Sequence, residues 1–195
     1  SSIDSVEVDQ ALLESFSDNR MMPHLHLSLQ SGDNMILKRM KRRHLREHSI
    51  RFCQDIKKLR PDMVFGADLI AGFPTETEEM FANTLALVDE CDLTFLHVFP
   101  YSARAQTPAA RMPQVEGSII KERARVLRKK GETALKARAH MLDGTKADVL
   151  VETELSGRTQ HFMVVRLEDK ATPGELISVQ LHCNDSHQLQ GRPAE

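Results

Sequence analysis

Residues Met63–Thr77 read MVFGADLIAGFPTET, and this stretch decides the fold. Met63–Gly72 is almost continuously apolar, the pattern of a strand covered on both faces, as in a parallel sheet. Thr75-Glu76-Thr77-Glu78 follows with the spacing of a capping box, and Phe81, Leu85 and Val88 form a helical stripe behind it. Working outward, Leu93–Phe99 (LTFLHVF) predicts a second strand. Upstream, His24–Leu29 alternates strictly and ends in the turn formers Ser31-Gly32-Asp33, which predicts another. Between them lies basic helical sequence with Ile50, Cys53 and Ile56 on one face, stopped at Arg60-Pro61. Ser5–Phe16, with Val8, Leu12 and Phe16 four apart, predicts a helix before the first strand. Strand, helix, strand, helix, strand reads as parallel βα units.

After Pro113 the pattern changes. Ile120, Ala124, Leu127, Leu135 and Leu142 share one face of a long helix interrupted at Gly131. From Gly144 the period becomes two. Lys146–Glu152, Gln160–Arg166 and Glu175–Leu181 read as short strands, with turns at Ser156-Gly157 and Pro173-Gly174. The expected architecture is α/β over residues 1–142, with a small all-β barrel over 143–195.

Composition excludes several classes. Hydrophobic residues make up 41% and charged residues 28%, which rules out wholesale disorder. No apolar run approaches the ~18 residues a membrane helix needs, and Ser1-Ser2-Ile3-Asp4 is no signal peptide. Cys53, Cys91 and Cys183 are too widely spaced for a disulfide framework or a metal knuckle, which fits a reducing cytoplasm. The net charge of −2 hides two basic stretches. Residues 38–60 hold ten Lys/Arg against Glu47 and Asp55, net +8, and residues 121–140 hold eight against Glu122 and Glu132, net +6. Such stretches suit a polyanion-binding face, or else two solvated helix faces.

Parallel α/β folds place ligands at the carboxyl ends of their strands. Three ends are visible: Leu29-Gln30-Ser31-Gly32, Ile70-Ala71-Gly72-Phe73-Pro74 and Val98-Phe99-Pro100-Tyr101-Ser102. Together they offer polar groups for a ribose, and backbone edges with an apolar wall for a base. His24 and His26 lie on one side of their strand, as a metal pair would, but no third ligand lies nearby in sequence, and no metal site is expected. Asp68 inside an apolar strand needs a hydrogen-bonding or charged partner.

The runs His24–Gly32 (HLHLSLQSG), Leu37–His44 (LKRMKRRH), Ala67–Thr77 (ADLIAGFPTET) and His97–Ala110 (HVFPYSARAQTPAA) occur in an order and spacing that resembles the later half of the radical S-adenosylmethionine barrel of the methylthiotransferases. The tail from Gly144 resembles the TRAM domain, the small barrel that ends those enzymes. Arg111–Val115 and Lys121–Arg125 look most like the tRNA threonylcarbamoyladenosine branch, ahead of the isopentenyladenosine and ribosomal-protein branches. The family's Cys-x3-Cys-x2-Cys loop is not in this sequence. Ser1–Asp4 looks like the end of the preceding barrel strand, so a fragment of a longer enzyme is expected. Gln106 stands where the family usually has Gly, which puts the local loop conformation in question.

The resemblance implies insertion of a methylthio group at C2 of N6-threonylcarbamoyladenosine beside a tRNA anticodon, in the cytoplasm. It implies S-adenosyl-L-methionine and two [4Fe-4S] clusters as cofactors of the full enzyme. Sulfur and electron donors and the N-terminal half of the enzyme would be partners. On this reading Gln30 and Ser31 lie near the ribose, Ile70, Gly72 and Phe99 meet the adenine, and Arg104 holds a carboxylate. Arg42, Arg43, Lys129, Lys130 and, in the small barrel, Arg158 would meet RNA phosphates. A non-catalytic RNA-binding module is the alternative, and a hydrolase using His24, His26 and Asp68 is a third reading.

Overall fold

The computed structural model describes residues 2–193. Strands β1 (His24–Gln30), β2 (Val64–Ala71) and β3 (Leu93–Pro100) form a three-stranded sheet in that order. β2 and β3 are parallel, with Asp68 beside His97 and Ile70 beside Phe99. Ile3 makes a parallel bridge to Leu27 on the other edge of β1. Helices α1 (Gln10–Ser15), α2 (Asn34–Arg39), α3 (Arg46–Leu59) and α4 (Glu78–Glu90) lie between or before the strands, and α5 (Gly117–Met141) follows them. A closed barrel in the order β4-β5-β6-β8-β7 is built from β4 (Lys146–Thr153), β5 (Ser156–Thr159), β6 (Val164–Leu167), β7 (Leu176–Cys183) and β8 (Leu189–Pro193). The chain divides into two compact units: Leu25–Glu132 with the residues up to Met21, and Thr133 onward with Met22–His24.

Alternation in β1 sorts its side chains. Leu25, Leu27 and Leu29 are buried in a core shared with Phe16, Cys53, Ile56, Phe65, Leu69 and Phe81. Each such burial stabilises the unit by about 1.5–3 kcal/mol. His26, Ser28 and Gln30 point to the opposite, half-buried face. β2 follows suit, sending Phe65, Ala67 and Leu69 to the core.

Several local expectations are corrected. The helix expected over Ser5–Phe16 is a 3-10 turn at Ser5–Glu7 and a separate α1, because the Asp4 and Asp9 carboxylates each accept from a backbone N–H and start a new turn. The expected capping box does not form, and the cap lies two residues later. Thr77 caps α4, its hydroxyl accepting from Met80 N at 3.2 Å, while Thr75 sits at φ 69° outside the helix. Gly131 does not interrupt α5. It lets the helix approach β3, since a Cβ there would lie 3.0 Å from Leu96 Cγ.

In the barrel, Gln160–Arg166 is not one strand. A turn with Phe162 at φ 68° divides β5 from β6. Ser156-Gly157, expected as a turn, lies within β5, and β8 was not foreseen. Gly157 is required by close packing rather than by a bend: a Cβ there would collide with the Leu150 carbonyl oxygen and lie 2.5 Å from Val149 Cγ1. Gly157→Ala is expected to destabilise the barrel by about 2 kcal/mol through overpacking. Denaturant unfolding followed by circular dichroism measures it, and an unchanged midpoint would refute the packing argument.

Candidate functional site

The carboxyl ends of β1, β2 and β3 open onto a cavity of about 430 Å³ lined by Gln30, Ile70, Phe73, Phe99, Arg104 and neighbouring residues of the segment after β3. Gln30, Ile70 and Phe99 reach it because all three lie on the non-core face of their strands near the end. Tyr101, also on the lining, is fixed by its N–H, which donates to Ala71 O at 2.9 Å, and by an edge-on contact with Phe73 at 5.3 Å between centroids. Its phenol oxygen is buried and makes no hydrogen bond among the described residues. A buried hydroxyl without a partner is costly and marks a place where a ligand's polar group would be held.

Left-handed backbone gathers at the same strand ends: Gln30 at φ 66°, Gly72 at φ 74°, Thr75 at φ 69° and Gln106 at φ 69°. Such residues cluster at ligand-holding loops because the surroundings over-determine them. Gln106 therefore takes the conformation that a glycine would take freely. Replacing Gln106 by Gly should remove a left-handed penalty of about 1–2 kcal/mol, offset by about 0.5–1 kcal/mol of added chain entropy. A small rise in the melting temperature is the expected result, and a fall would show the loop is not strained.

Two of the anticipated ligand residues do not line the cavity. Ser31 is buried, its hydroxyl 3.3 Å from Thr84 Oγ1 and accepting from Asp33 N, so it ties the loop after β1 to α4. Gly72 faces Ile120 of α5, and its N–H donates to Glu76 Oε2 at 2.9 Å. Glu76 is the centre of a buried ion pair that sequence reasoning missed. Arg123 of α5 reaches its Oε2 at 2.9 Å and its carbonyl at 3.0 Å, and extends to Glu78 Oε2 at 3.1 Å. Burial pushes the Glu76 carboxyl above its usual range, against the opposing pull of the Gly72 N–H and Arg123. The pair pins the β2–α4 loop, one wall of the cavity, to α5.

A second cluster occupies the same sheet face, two residues before the cavity lining on β2 and β3. His26 Nε2 and His97 Nδ1 lie 3.0 and 3.3 Å from Asp68 Oδ1, and the Ser2 hydroxyl donates to Asp68 Oδ2 at 2.7 Å. Burial pushes the Asp68 carboxyl up, but the Ser2 and His26 hydrogen bonds and the facing histidines together hold it below its ordinary value.

The five basic residues singled out for RNA are placed unequally. Arg42 is largely structural: its guanidinium spans Asp4 Oδ2 at 3.0 Å and Ser28 O at 2.9 Å. Arg43 pairs with Glu7 on the exposed surface. Lys129 is exposed 3.7 Å from Glu132, and Lys130 meets Asp89 at 2.6 Å. Arg158 pairs with Glu152 and lies over the Phe162 ring, 4.2 Å from its centroid. Within the 38–60 stretch, Arg46 pairs with Glu90 and Lys57 with Asp92, while Arg60 Nη1 donates to the carbonyls of Phe16, Asp18 and Met21. Much of the stretch's positive charge is thus balanced by acids from other segments.

The cysteines do not suit an iron–sulfur cluster. Cys53 and Cys91 are buried side by side in the core of the first unit, with the neighbouring Cys91 and burial raising the Cys53 thiol, and Cys183 belongs to the second unit. The cavity does suit a nucleoside: an apolar wall from Ile70 and Phe99, the Gln30 amide, the partnerless Tyr101 hydroxyl and the Arg104 guanidinium.

Residues 2–88 match the Radical SAM superfamily. The superfamily uses S-adenosylmethionine and iron–sulfur chemistry. The likeness to its methylthiotransferases, drawn above from four motifs, holds over nearly the whole chain. The chain is 50% identical over 93% of its length to the threonylcarbamoyladenosine tRNA methylthiotransferase of Rickettsia prowazekii, covering 43% of that protein. It is 34% identical over 92% of its length to the corresponding protein of Aquifex aeolicus, covering 44% of it. To a tRNA-2-methylthio-N(6)-dimethylallyladenosine synthase of Cereibacter sphaeroides it is 35% identical over 90%, covering 42%. The chain spans less than half the length of these relatives. Among solved structures, coproporphyrinogen III oxidase (HemN) from Escherichia coli aligns over 93% of this chain and 45% of its own, with a TM-score of 0.55 and 17% identity, a likeness of fold. Among the described residues no helix is long and apolar enough to cross a membrane.

Proposed function

We propose that this chain is the nucleoside-binding and RNA-binding portion of a tRNA methylthiotransferase that acts at C2 of N6-threonylcarbamoyladenosine. The cavity at the three strand ends, with the buried hydroxyl of Tyr101 lacking a partner, carries the proposal. The 50% identity to the threonylcarbamoyladenosine relative of Rickettsia prowazekii, against 35% to the dimethylallyladenosine synthase of Cereibacter sphaeroides over a similar span, favours that substrate. When bound, S-adenosylmethionine together with an iron–sulfur cluster supplies the one-electron chemistry for C–H activation. This chain's residues bind and orient. Ile70 and Phe99 offer the adenine an apolar surface, Gln30 and Tyr101 offer hydrogen bonds, and Arg104 offers its guanidinium fork to a carboxylate. The Glu76–Arg123 pair is a positioning element that holds the loop beneath. The cluster ligands and the remainder of the barrel would come from the N-terminal portion of the longer enzyme, with sulfur and electron donors as further partners. On this account the chain alone does not methylthiolate. The closed five-stranded barrel supports the TRAM reading, and on that reading would grip RNA.

Binding of an anticodon stem-loop RNA, followed by fluorescence at several salt concentrations, tests the RNA half of the proposal. Affinity should fall linearly with the logarithm of salt concentration. Arg43→Ala, which removes an exposed charge, should reduce that slope by roughly one unit. Arg42→Ala should instead lower stability, because Asp4 and the Ser28 carbonyl lose their shared donor. Binding that is indifferent to salt would refute phosphate recognition by this chain.

A further inference from the structure

The His26–Asp68–His97 cluster has a consequence outside nucleoside binding. The sequence offered His24 and His26 as the metal pair, with Asp68 joining them in the hydrolase reading, whereas parallel pairing of β2 with β3 sets His97 beside Asp68 and so groups His97 with His26 and Asp68. One nitrogen from each histidine and one carboxylate oxygen lie within 4.8 Å of one another. The two measured separations from Asp68 Oδ1 are 3.0 Å to His26 Nε2 and 3.3 Å to His97 Nδ1. A tetrahedral ion with bonds of about 2.0–2.1 Å sets its ligands roughly 3.3–3.4 Å apart, close to both measured separations from Asp68 Oδ1. We infer that His26 Nε2, Asp68 Oδ1 and His97 Nδ1 form a binding site for one divalent transition-metal ion of the zinc class.

Four further observations support it. The imidazoles lie tilted by 35° with centroids 4.4 Å apart, and one nitrogen of each approaches the same carboxylate oxygen, Asp68 Oδ1. Room for the His26 ring is made by Gly66, where a Cβ would collide with Nδ1 and lie 3.1 Å from Cε1. The second carboxylate oxygen of Asp68 is held by the Ser2 hydroxyl, the kind of outer hydrogen bond that fixes a ligating carboxylate. The His97 side chain is 63% exposed, which leaves an entry path and a position for water as a further ligand. Two imidazoles and one carboxylate suit zinc and its neighbours rather than magnesium or calcium, which take oxygen ligands.

Calorimetric titration of the full chain with Zn²⁺ tests the site, and Co²⁺ absorption reports its geometry. The titration is made on a His140→Gln background, because His140 at the end of α5 and His187 between β7 and β8 lie 2.8 Å apart, close enough to take metal themselves. One equivalent should bind, and Asp68→Asn and His97→Gln should each weaken binding at least tenfold. Ser2→Ala should weaken it by roughly 10–100-fold, as outer-shell changes do. His97→Gln alters an exposed side chain, so it answers the question even where Asp68→Asn disturbs the sheet. Less than one equivalent bound, or one equivalent retained by both ligand variants, would leave the cluster a hydrogen-bonded triad and overturn the assignment.

Discussion

Arg123→Ala should destabilise the first unit by about 3–5 kcal/mol, the effect of leaving a buried carboxylate without its counter-charge. Glu76 and Arg123 have side chains 0% and 7% exposed, so solvent cannot replace the lost partner. The Gly72 N–H alone would then face the carboxylate. The sign of the pH dependence follows from the upward shift of Glu76. A carboxyl with a raised folded value binds its proton more readily in the folded state than in the unfolded state. Stability therefore rises as pH falls through that raised value toward the unfolded one, and is lost as pH rises again. Removing Arg123 removes an interaction that favours ionisation, so the variant should recover part of its stability on mild acidification. The double change Glu76→Gln with Arg123→Met should be less damaging than Arg123→Ala alone, because no buried charge is left unpaired. Urea unfolding at neutral and mildly acidic pH measures both effects. If Arg123→Ala loses less than about 1 kcal/mol, the range of an exposed pair, the loop is not held as described.

The second large effect concerns the cavity. Phe99→Ala should weaken binding of S-adenosylhomocysteine, an unreactive ligand with the same nucleoside and amino-acid groups. Loss of a stacking surface accounts for about 1–3 kcal/mol. Arg104→Ala should weaken it by about 1.5–3 kcal/mol if the guanidinium meets the carboxylate, the range of a charge-assisted hydrogen bond. Each amounts to roughly fivefold or more in Kd. Equilibrium dialysis with labelled ligand measures both. Equal affinity in wild type and both variants would place the ligand elsewhere.

Much of this arrangement is legible in the sequence, and the parts that are not have identifiable causes. The apolar run of β2 and the alternation of β1 give the parallel sheet, because burial on both faces or on one leaves its mark residue by residue. From the rule that ligands sit at strand ends, Gln30, Ile70 and Phe99 follow, and the structure brings them together with Arg104 around one cavity. Ser31 and Gly72 belong to the same strand ends but turn to α4 and α5, and no local pattern tells a loop's ligand-facing residue from its anchoring one. Tyr101 adjoined the strand end already singled out, and its distinguishing property, a partnerless hydroxyl, exists only in three dimensions. Charge counting along 38–60 misleads because the balancing acids Asp4, Glu7, Glu90 and Asp92 come from elsewhere in the chain. Gly157 reads as a turn former because sequence alone does not distinguish a glycine needed for bending from one needed for close packing. His97 joins Asp68 only through the β2–β3 register.

The central claim is that the ends of β1, β2 and β3 form an adenosyl-binding cavity, which separates an enzyme portion from a module that binds only RNA. Backbone and methyl NMR of the chain titrated with S-adenosylhomocysteine tests it most directly. Saturable shifts confined to Gln30, Ile70, Phe99, Tyr101 and Arg104 and their neighbours are the predicted result. Saturable shifts that spare these residues, or no saturable shifts at all, would contradict it.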